Sequence, residues 1–257
     1  MATPDARTLR LDVMGAGPAY SDRLGSAGAA YLVRYGGTAI LLDFGQGAFP
    51  RLAATIEPST LDAVVVSHLH PDHFIDLVPM RHYLRWEFRE GRRVRVIAAA
   101  GLEDRLDALH DEPGFARAAL DIEHVREGTV EIGSLCIEAA RVTHTRDSHG
   151  YRVSNGSAAG LVYSGDCGRA EDLDRLVRPG DTLLSEVSFG PGPVAPGAAH
   201  LDAPAVAALA RRTGTARVLL THLQMGHDPD ATVAAVRERF DGPVELVEPG
   251  WSTTISG

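Results

Sequence analysis

Between Ser67 and Asp76 the chain reads SHLHPDHFID, three histidines and two aspartates in ten residues. Neutral imidazole and carboxylate are the side chains that suit zinc, iron or manganese. A purely structural role explains the cluster poorly, because three imidazoles within six residues repel as they protonate and are costly to desolvate. Further donors stand singly: His144 after CIEAARVT, Asp166 after GLVYSG and His222 after RVLLT. Each alone reads as an ordinary hydrogen-bonded residue. Beside the His68-x-His70-x-Asp72-His73 cluster, each becomes a candidate for the same metal site.

Every one of these donors follows an apolar run, and strands that end at one edge of a sheet bring distant side chains together. TLRLDVMG alternates as a strand, AAYLVRYGGTAILLDFG reads as a hairpin turning at Gly36-Gly37, and LDAVVVSH is a buried strand. A helix is expected from about Ile75 to Arg89, then RVRVIAAA as strand and LEDRLDALH as helix. Strands return at TVEIGSLCIEAARVTH, GYRVS and AGLVYSGD. The last third alternates: EDLDRLVR helix, DTLLSEVS strand, a helix capped by Asp202 with Pro204 in its first turn, ARVLLTH strand, PDATVAAVRERF helix and PVELVEP strand. Two mixed sheets with helices outside, a four-layer αββα sandwich, accommodate this order. No repeat or linker divides the chain, so residues 1–257 are expected to form one domain. The Pro- and Gly-rich stretch Phe189–His200 reads as a long loop, a kind often functional.

The composition narrows the chemistry. The formal net charge is −9, which argues against a general nucleic-acid binder. All 25 basic residues are arginine, which removes Schiff-base chemistry and a P-loop lysine. Two cysteines, Cys136 and Cys167, are too few for a disulfide framework or a four-thiolate zinc site. MATPDAR lacks the apolar core of a signal peptide, and no apolar run approaches the ~20 residues of a membrane span. A cytoplasmic protein without a membrane partner is expected.

SHLHPDHFIDL resembles the HxHxDH signature of the metallo-β-lactamase superfamily. The likeness extends in family order through VMGAGPA, LLDFGQG, THTRDSHGYRV, VYSGDCG, SEVSF and LLTHL. It implies the αββα fold and two divalent metal ions, with zinc expected and manganese or iron also suited. His68, His70 and His144 would hold one metal, Asp72, His73 and His222 the other, and Asp166 would bridge them. Such a pair shares a hydroxide at neutral pH, the nucleophile of a hydrolase.

Within the superfamily the chain is most similar to the branch of ribonuclease Z and its small-substrate phosphodiesterase relatives. Glu186-Val187-Ser188 with His200 resembles that branch's Glu-Ala-Thr segment and later histidine, differing at two of three tripeptide positions. The resemblance implies His200 as proton donor to the leaving oxygen and Glu186 as the group that orients it. Asp72, His200 and Glu186 are the residues expected to take part in catalysis, Asp72 as a metal ligand too. His149 is a further candidate for the site, whereas Cys167, beside Asp166, reads as a small buried hydrophobe. The long basic arm that ribonuclease Z inserts before the bridging aspartate is missing, since only Arg152–Gly165 separate Tyr151 from Asp166.

A small or cyclic phosphodiester is therefore the expected substrate, and nucleic acid is not expected as the main partner. An acyl hydrolase of lactonase or thioesterase type, or a tRNA 3′ endonuclease, is the alternative. Between Arg81 and Arg95 six arginines meet two glutamates. Arg81, Arg85 and Arg89 recur on one helix face, a solvated face or an anion-attracting rim, with the interleaved aromatics in the core. Apolar residues of the Met80–Phe88 helix offer a face for a homodimer.

Overall fold

In the computed structural model, which describes residues 8–157 and 159–255, strands and helices arrange in four layers. The first half of the chain builds β1 (Leu9–Gly15), β2 (Ala30–Tyr35), β3 (Thr38–Leu42), β4 (Ala63–Val65), β5 (Val94–Ala98) and β6 (Leu120–His124). The second half builds β7 (Gly128–Ile132), β8 (Leu135–Val142), β9 (Ser148–Ser154), β10 (Leu161–Tyr163), β11 (Thr182–Glu186), β12 (Arg217–Thr221) and β13 (Val244–Leu246). A last strand, β14 (Ser252–Ile255), crosses back to pair antiparallel with β1. The sheets run β14-β1-β2-β3-β4-β5-β6 and β13-β12-β11-β10-β9-β8-β7.

Alternation along the strands explains the layering, since successive side chains point to opposite faces. On β3, Ile40 and Leu42 join the core between the sheets, while Ala39 and Leu41 join the core beneath the first helical layer. On β12, Leu219 faces the other sheet, and Val218 and Leu220 face the second helical layer. The first layer holds α1 (Phe49–Thr55), α2 (Pro71–Phe74), α3 (Leu77–Trp86) and α4 (Leu102–His110); the second holds α5 (Ala203–Thr213) and α6 (Pro229–Arg237). The αββα sandwich and the Gly36-Gly37 hairpin are as the sequence implies. None of the helices among the described residues is long and apolar enough to cross a membrane.

Several local expectations fail for identifiable reasons. The helix expected from Ile75 to Arg89 is present but shorter, as α3, and starts after Asp76, whose carboxylate accepts the backbone N–H groups of Gly47 (3.2 Å) and Phe49 (2.7 Å). Arg81 does not share a solvated face with Arg85 and Arg89. It is buried with Leu77 and Leu84, donating Nε to the Phe115 carbonyl at 2.8 Å and lying 4.0 Å above the Phe115 ring. Trp86, assigned to the core, is exposed. Residues 171–178 form no α-helix but a short 3₁₀ turn at Ala170–Leu173.

Candidate metal centre

The C-terminal ends of β4, β8, β10, β11 and β12 meet at one edge of the sandwich and deliver His68, His144, Asp166, Glu186 and His222. The turn after β4 adds His70, Asp72 and His73, with Pro71 at the first position of α2 setting the backbone toward a helix. Close packing makes this turn possible. A Cβ on Gly45 would sit 1.9 Å from the Asp72 carbonyl oxygen, so only glycine lets the segment after β3 lie against it. His222 adopts φ 57°, a left-handed conformation unusual for a side chain of this size, and its N–H bonds the Ala16 carbonyl at 2.9 Å.

The seven candidate ligands fall into two adjoining groups, His68-His70-His144-Asp166 and Asp72-His73-His222. Asp166 stands between them. Its Oδ1 lies 3.4 Å from His73 Nε2 and 3.5 Å from His222 Nε2, and its Oδ2 lies 3.6 Å from His144 Nε2 and 3.9 Å from His68 Nε2. One oxygen faces each group, the disposition a bridging carboxylate requires. Asp72 Oδ2 approaches His222 Nε2 at 3.2 Å, and His70 Nδ1 lies 3.1 Å from His144 Nε2.

Around four of the rings, Nδ1 is occupied and Nε2 is left to point inward. His73 Nδ1 donates to Asp43 Oδ2 at 2.7 Å, and His144 Nδ1 to the Ala199 carbonyl at 2.8 Å. His68 Nδ1 is 3.1 Å from the Ser67 hydroxyl and His222 Nδ1 is 3.1 Å from the Ser188 hydroxyl. Such outer contacts fix tautomer and ring orientation in metal sites. His68 Nε2, His73 Nε2 and Asp166 Oδ1 are buried and find no hydrogen-bond partner among the described residues. A buried polar atom so placed costs about 1–3 kcal/mol. Three converging on one space are what donors kept for cations look like, and the mixed imidazole and carboxylate set fits divalent ions.

The electrostatics agree with that fit. Burial holds the His68 pKa well below that of a free imidazole, and the neighbouring His73 pushes the same way. Burial also lowers His70, with His144 adding to the effect. For Asp166, burial favours the neutral acid, but His222 and His73 override it and hold the carboxyl well below its usual range. For His73, burial disfavours the charge, and Asp166 and Asp43 outweigh it, raising the pKa. A buried anion therefore sits amid imidazoles, some neutral and some drawn toward the cation, a balance that metal ions can take over.

Glu186 and His200 come together beside this cluster. His200 Nδ1 lies 3.0 Å from Glu186 Oε1 and 3.9 Å from Asp166 Oδ2. Glu186 Oε1 also accepts the Cys167 N–H at 2.8 Å, and Oε2 the Ser188 N–H at 3.0 Å, so the carboxylate is fixed on several sides. Burial works to lower the His200 pKa, but the hydrogen bond and charge of Glu186 and the charge of Asp166 raise it above the ordinary value. Burial pushes the Cys167 thiol up to about 12, and its Sγ contacts the Arg169 carbonyl, as a small buried side chain rather than a thiolate ligand. His149 is not part of the site. Its backbone N–H bonds the Ser67 carbonyl, while its ring lines a separate cavity of about 350 Å³ with Arg126, Arg141 and Asp147.

Sequence reasoning overlooked the supports. Asp43, at φ 57°, accepts from the Ser67 N–H (2.6 Å), the Ser67 hydroxyl (2.7 Å) and the Tyr163 hydroxyl (2.6 Å) as well as from His73. Its only sequence signal is a carboxylate at the end of an apolar strand, in LLDFGQG. Above the metal-binding cluster lies a cleft of about 240 Å³, lined by His70, Asp166, His200 and His222 and closed on one side by Pro18 to Tyr20.

A two-sheet sandwich with histidines and aspartates clustered at its strand ends defines a class of metal-dependent hydrolase. The chain belongs to the β-lactamase superfamily, whose domain it matches over residues 38–223. It is 31% identical over 234 residues to an uncharacterized protein of Mycobacterium leprae, covering 88% of this chain and 81% of that protein. It is 24% identical to the ribonuclease Z of Myxococcus xanthus, covering 84% and 88% of the two chains. The crystal structure of the metallo-β-lactamase fold protein YhfI from Bacillus subtilis superposes with a TM-score of 0.86 at 20% identity, covering 96% of this chain and 99% of that one.

Proposed function

We propose that the protein is a phosphodiesterase that cleaves a small or cyclic phosphodiester with two divalent metal ions, zinc by preference. In this reading His68, His70 and His144 hold one ion, Asp72, His73 and His222 the other, and Asp166 both. When bound, the ions would lower the pKa of a water to supply the nucleophile and neutralise charge on the phosphate. The chain's own residues complete the reaction. Glu186 accepts from His200 Nδ1, which leaves Nε2–H free to protonate the leaving oxygen as the phosphorus–oxygen bond breaks. The raised pKa favours holding that proton until the alkoxide forms.

The observation that carries the reading is this carboxylate-oriented histidine beside Asp166. A tetrahedral intermediate at an ester carbonyl expels its alkoxide more readily than a phosphodiester does, so a proton donor on the leaving-group side matters more for phosphoryl transfer. The similarity to a ribonuclease Z supports phosphodiester chemistry. A small substrate is supported by the short connection between β9 and β10, residues 155–160, which leaves no room for an arm that grips a folded RNA. The net charge of −9 points the same way.

Turnover of bis-p-nitrophenyl phosphate, cyclic AMP, a lactone and p-nitrophenyl acetate by protein of known metal content, with and without chelator, tests this. Chelator-sensitive cleavage of the phosphodiesters is expected. His200→Ala should then lower cyclic AMP cleavage by about 10²–10⁴-fold at unchanged metal content, and p-nitrophenolate release far less, since that leaving group needs no proton. Ester or lactone turnover alone would move the function to acyl hydrolysis, and full cyclic AMP activity in His200→Ala would overturn His200 as the proton donor.

A further inference from the structure

The cleft over the metal-binding cluster, about 240 Å³, is smaller than the roughly 300–1,000 Å³ of sites that engulf their ligands. A phosphodiester bound there must leave part of its organic group outside, over the rim. That rim is apolar. Of the five large hydrophobic residues exposed among the described residues, Tyr20 (67%) lines the cleft beside Pro18, Ala19 and Pro71, and Met225 follows the lining residue Gln224. Arg23 ties the loops of Tyr20 and Met225, donating to the carbonyls of Leu223 (2.8 Å) and His227 (3.2 Å). Gln46 fixes the segment before Tyr20 by donating Nε2 to the carbonyls of Pro18 (3.1 Å) and Ala19 (3.3 Å). An aromatic ring is thus held in place at the mouth, exposed to water, and no hydrogen bond engages its hydroxyl among the described residues. Among the described residues no arginine lines the cleft, and beside the candidate metal cluster and His200 only the Gln224 amide and the Tyr20 hydroxyl offer polar side-chain groups there.

We propose that Tyr20 is a specificity-determining residue, a platform on which the nucleobase of a small nucleotide phosphodiester stacks while its phosphate lies over Asp166 and His200. The proposal rests on the phosphodiesterase reading above. Because every base presents a π-face, the platform selects for the presence of a base rather than for its identity. Base stacking of this kind is worth about 1–3 kcal/mol by alanine substitution, which is about a 5- to 150-fold change.

The test compares the metal-loaded protein on adenosine 3′,5′-cyclic phosphate and on methyl riboside 3,5-cyclic phosphate, which keeps the sugar ring and lacks the base. The wild type should prefer the base-bearing substrate in kcat/KM. Tyr20→Ala should reduce that preference about 5- to 150-fold, chiefly through KM, and Tyr20→Trp should restore it. Leu109→Ala, at an exposed apolar residue on α4, should leave the preference intact. Equal efficiency on the two substrates, or a preference that survives Tyr20→Ala, would overturn the platform and leave the phosphodiesterase standing. If neither substrate is cleaved while a lactone or ester is, both fall together.

Discussion

The two halves of the metal-binding cluster are built differently. Asp72, His73 and His222 are buried, and their supports come from the core. His73 leans on Asp43, Asp43 is pinned by Ser67 and Tyr163, and His222 leans on Ser188. In the other half His68 and Asp166 are as enclosed, His144 is partly buried and His70 is exposed. His144 is steadied by the Ala199 carbonyl, which belongs to the loop before α5, and the exposed His70 ring has its one hydrogen-bonding distance among the described residues to His144. The closed half is braced by both sheets, yet both halves meet the cleft, His70 from the open one and Asp72 and His222 from the closed one. The contrast teaches that one candidate site can be rigid and reachable at once when its braces, such as Asp43 and Ser188, lie behind the side chains that face the cleft.

Asp166 is the one residue that both halves share, so the largest effect should come from it. Asp166→Asn keeps the shape and removes the charge that faces His73 and His222 on one side and His68 and His144 on the other. Hydrolysis should fall about a thousandfold or more, equivalent to several kcal/mol of transition-state stabilisation. Metal analysis should show both ions weakened. Loss of only one ion would mean that the halves are independent and that Asp166 serves just one of them.

Asp43→Asn should have a smaller and one-sided effect. The amide cannot accept from the Ser67 N–H, the Ser67 and Tyr163 hydroxyls and His73 Nδ1 with the strength of a carboxylate, so the His73 ring loses its fixed tautomer. Affinity for the ion of the closed half should fall about 10- to 100-fold, the usual cost of losing such a support. Isothermal metal titration would resolve it as a change in one of two binding events. Equal weakening of both events would erase the distinction between the halves.

What the sequence disclosed follows the same contrast. The candidate ligands stood out because imidazoles crowded into His68–His73 have no cheap structural explanation, and because His144, Asp166 and His222 each end an apolar run. The supports were hidden because a hydrogen bond between Asp43 and Tyr163 spans 120 positions and leaves no local spacing. Ser188 stood in view within Glu186-Val187-Ser188, but a serine hydroxyl between two imidazoles is a tertiary fact. In the fold, the alternating strands β2 and β3 were plain. The edge strands β6 and β14 went unread, their burial patterns showing mostly exposed or half-buried positions that carry little apolar signal. Arg81 misled for the opposite reason. Charge in a sequence suggests water, yet its guanidinium is satisfied by a carbonyl and an aromatic face, which lets the stem pack inside.

The smallest effect should come from a residue that touches no ligand. Asp202 caps α5, its Oδ1 accepting the Ala205 N–H at 3.0 Å, and the loop before it carries both Ala199 and His200. Backbone bonds from Phe189 to Leu201 and from Ala203 to Gly190 close that loop onto the helix start. Asp202→Ala should therefore cost about 1 kcal/mol of stability in urea unfolding, while Asp202→Asn, which can still cap, should cost much less. Its metal effect should be confined to the open half, because only His144 relies on Ala199, and activity should drop no more than a few-fold. If Asp202→Ala instead weakened the ion held by His73 and His222 as much as the other, the brace through Asp43 would be insufficient to isolate the closed half. The contrast between the two halves would then be one of exposure alone, with no difference in rigidity behind it.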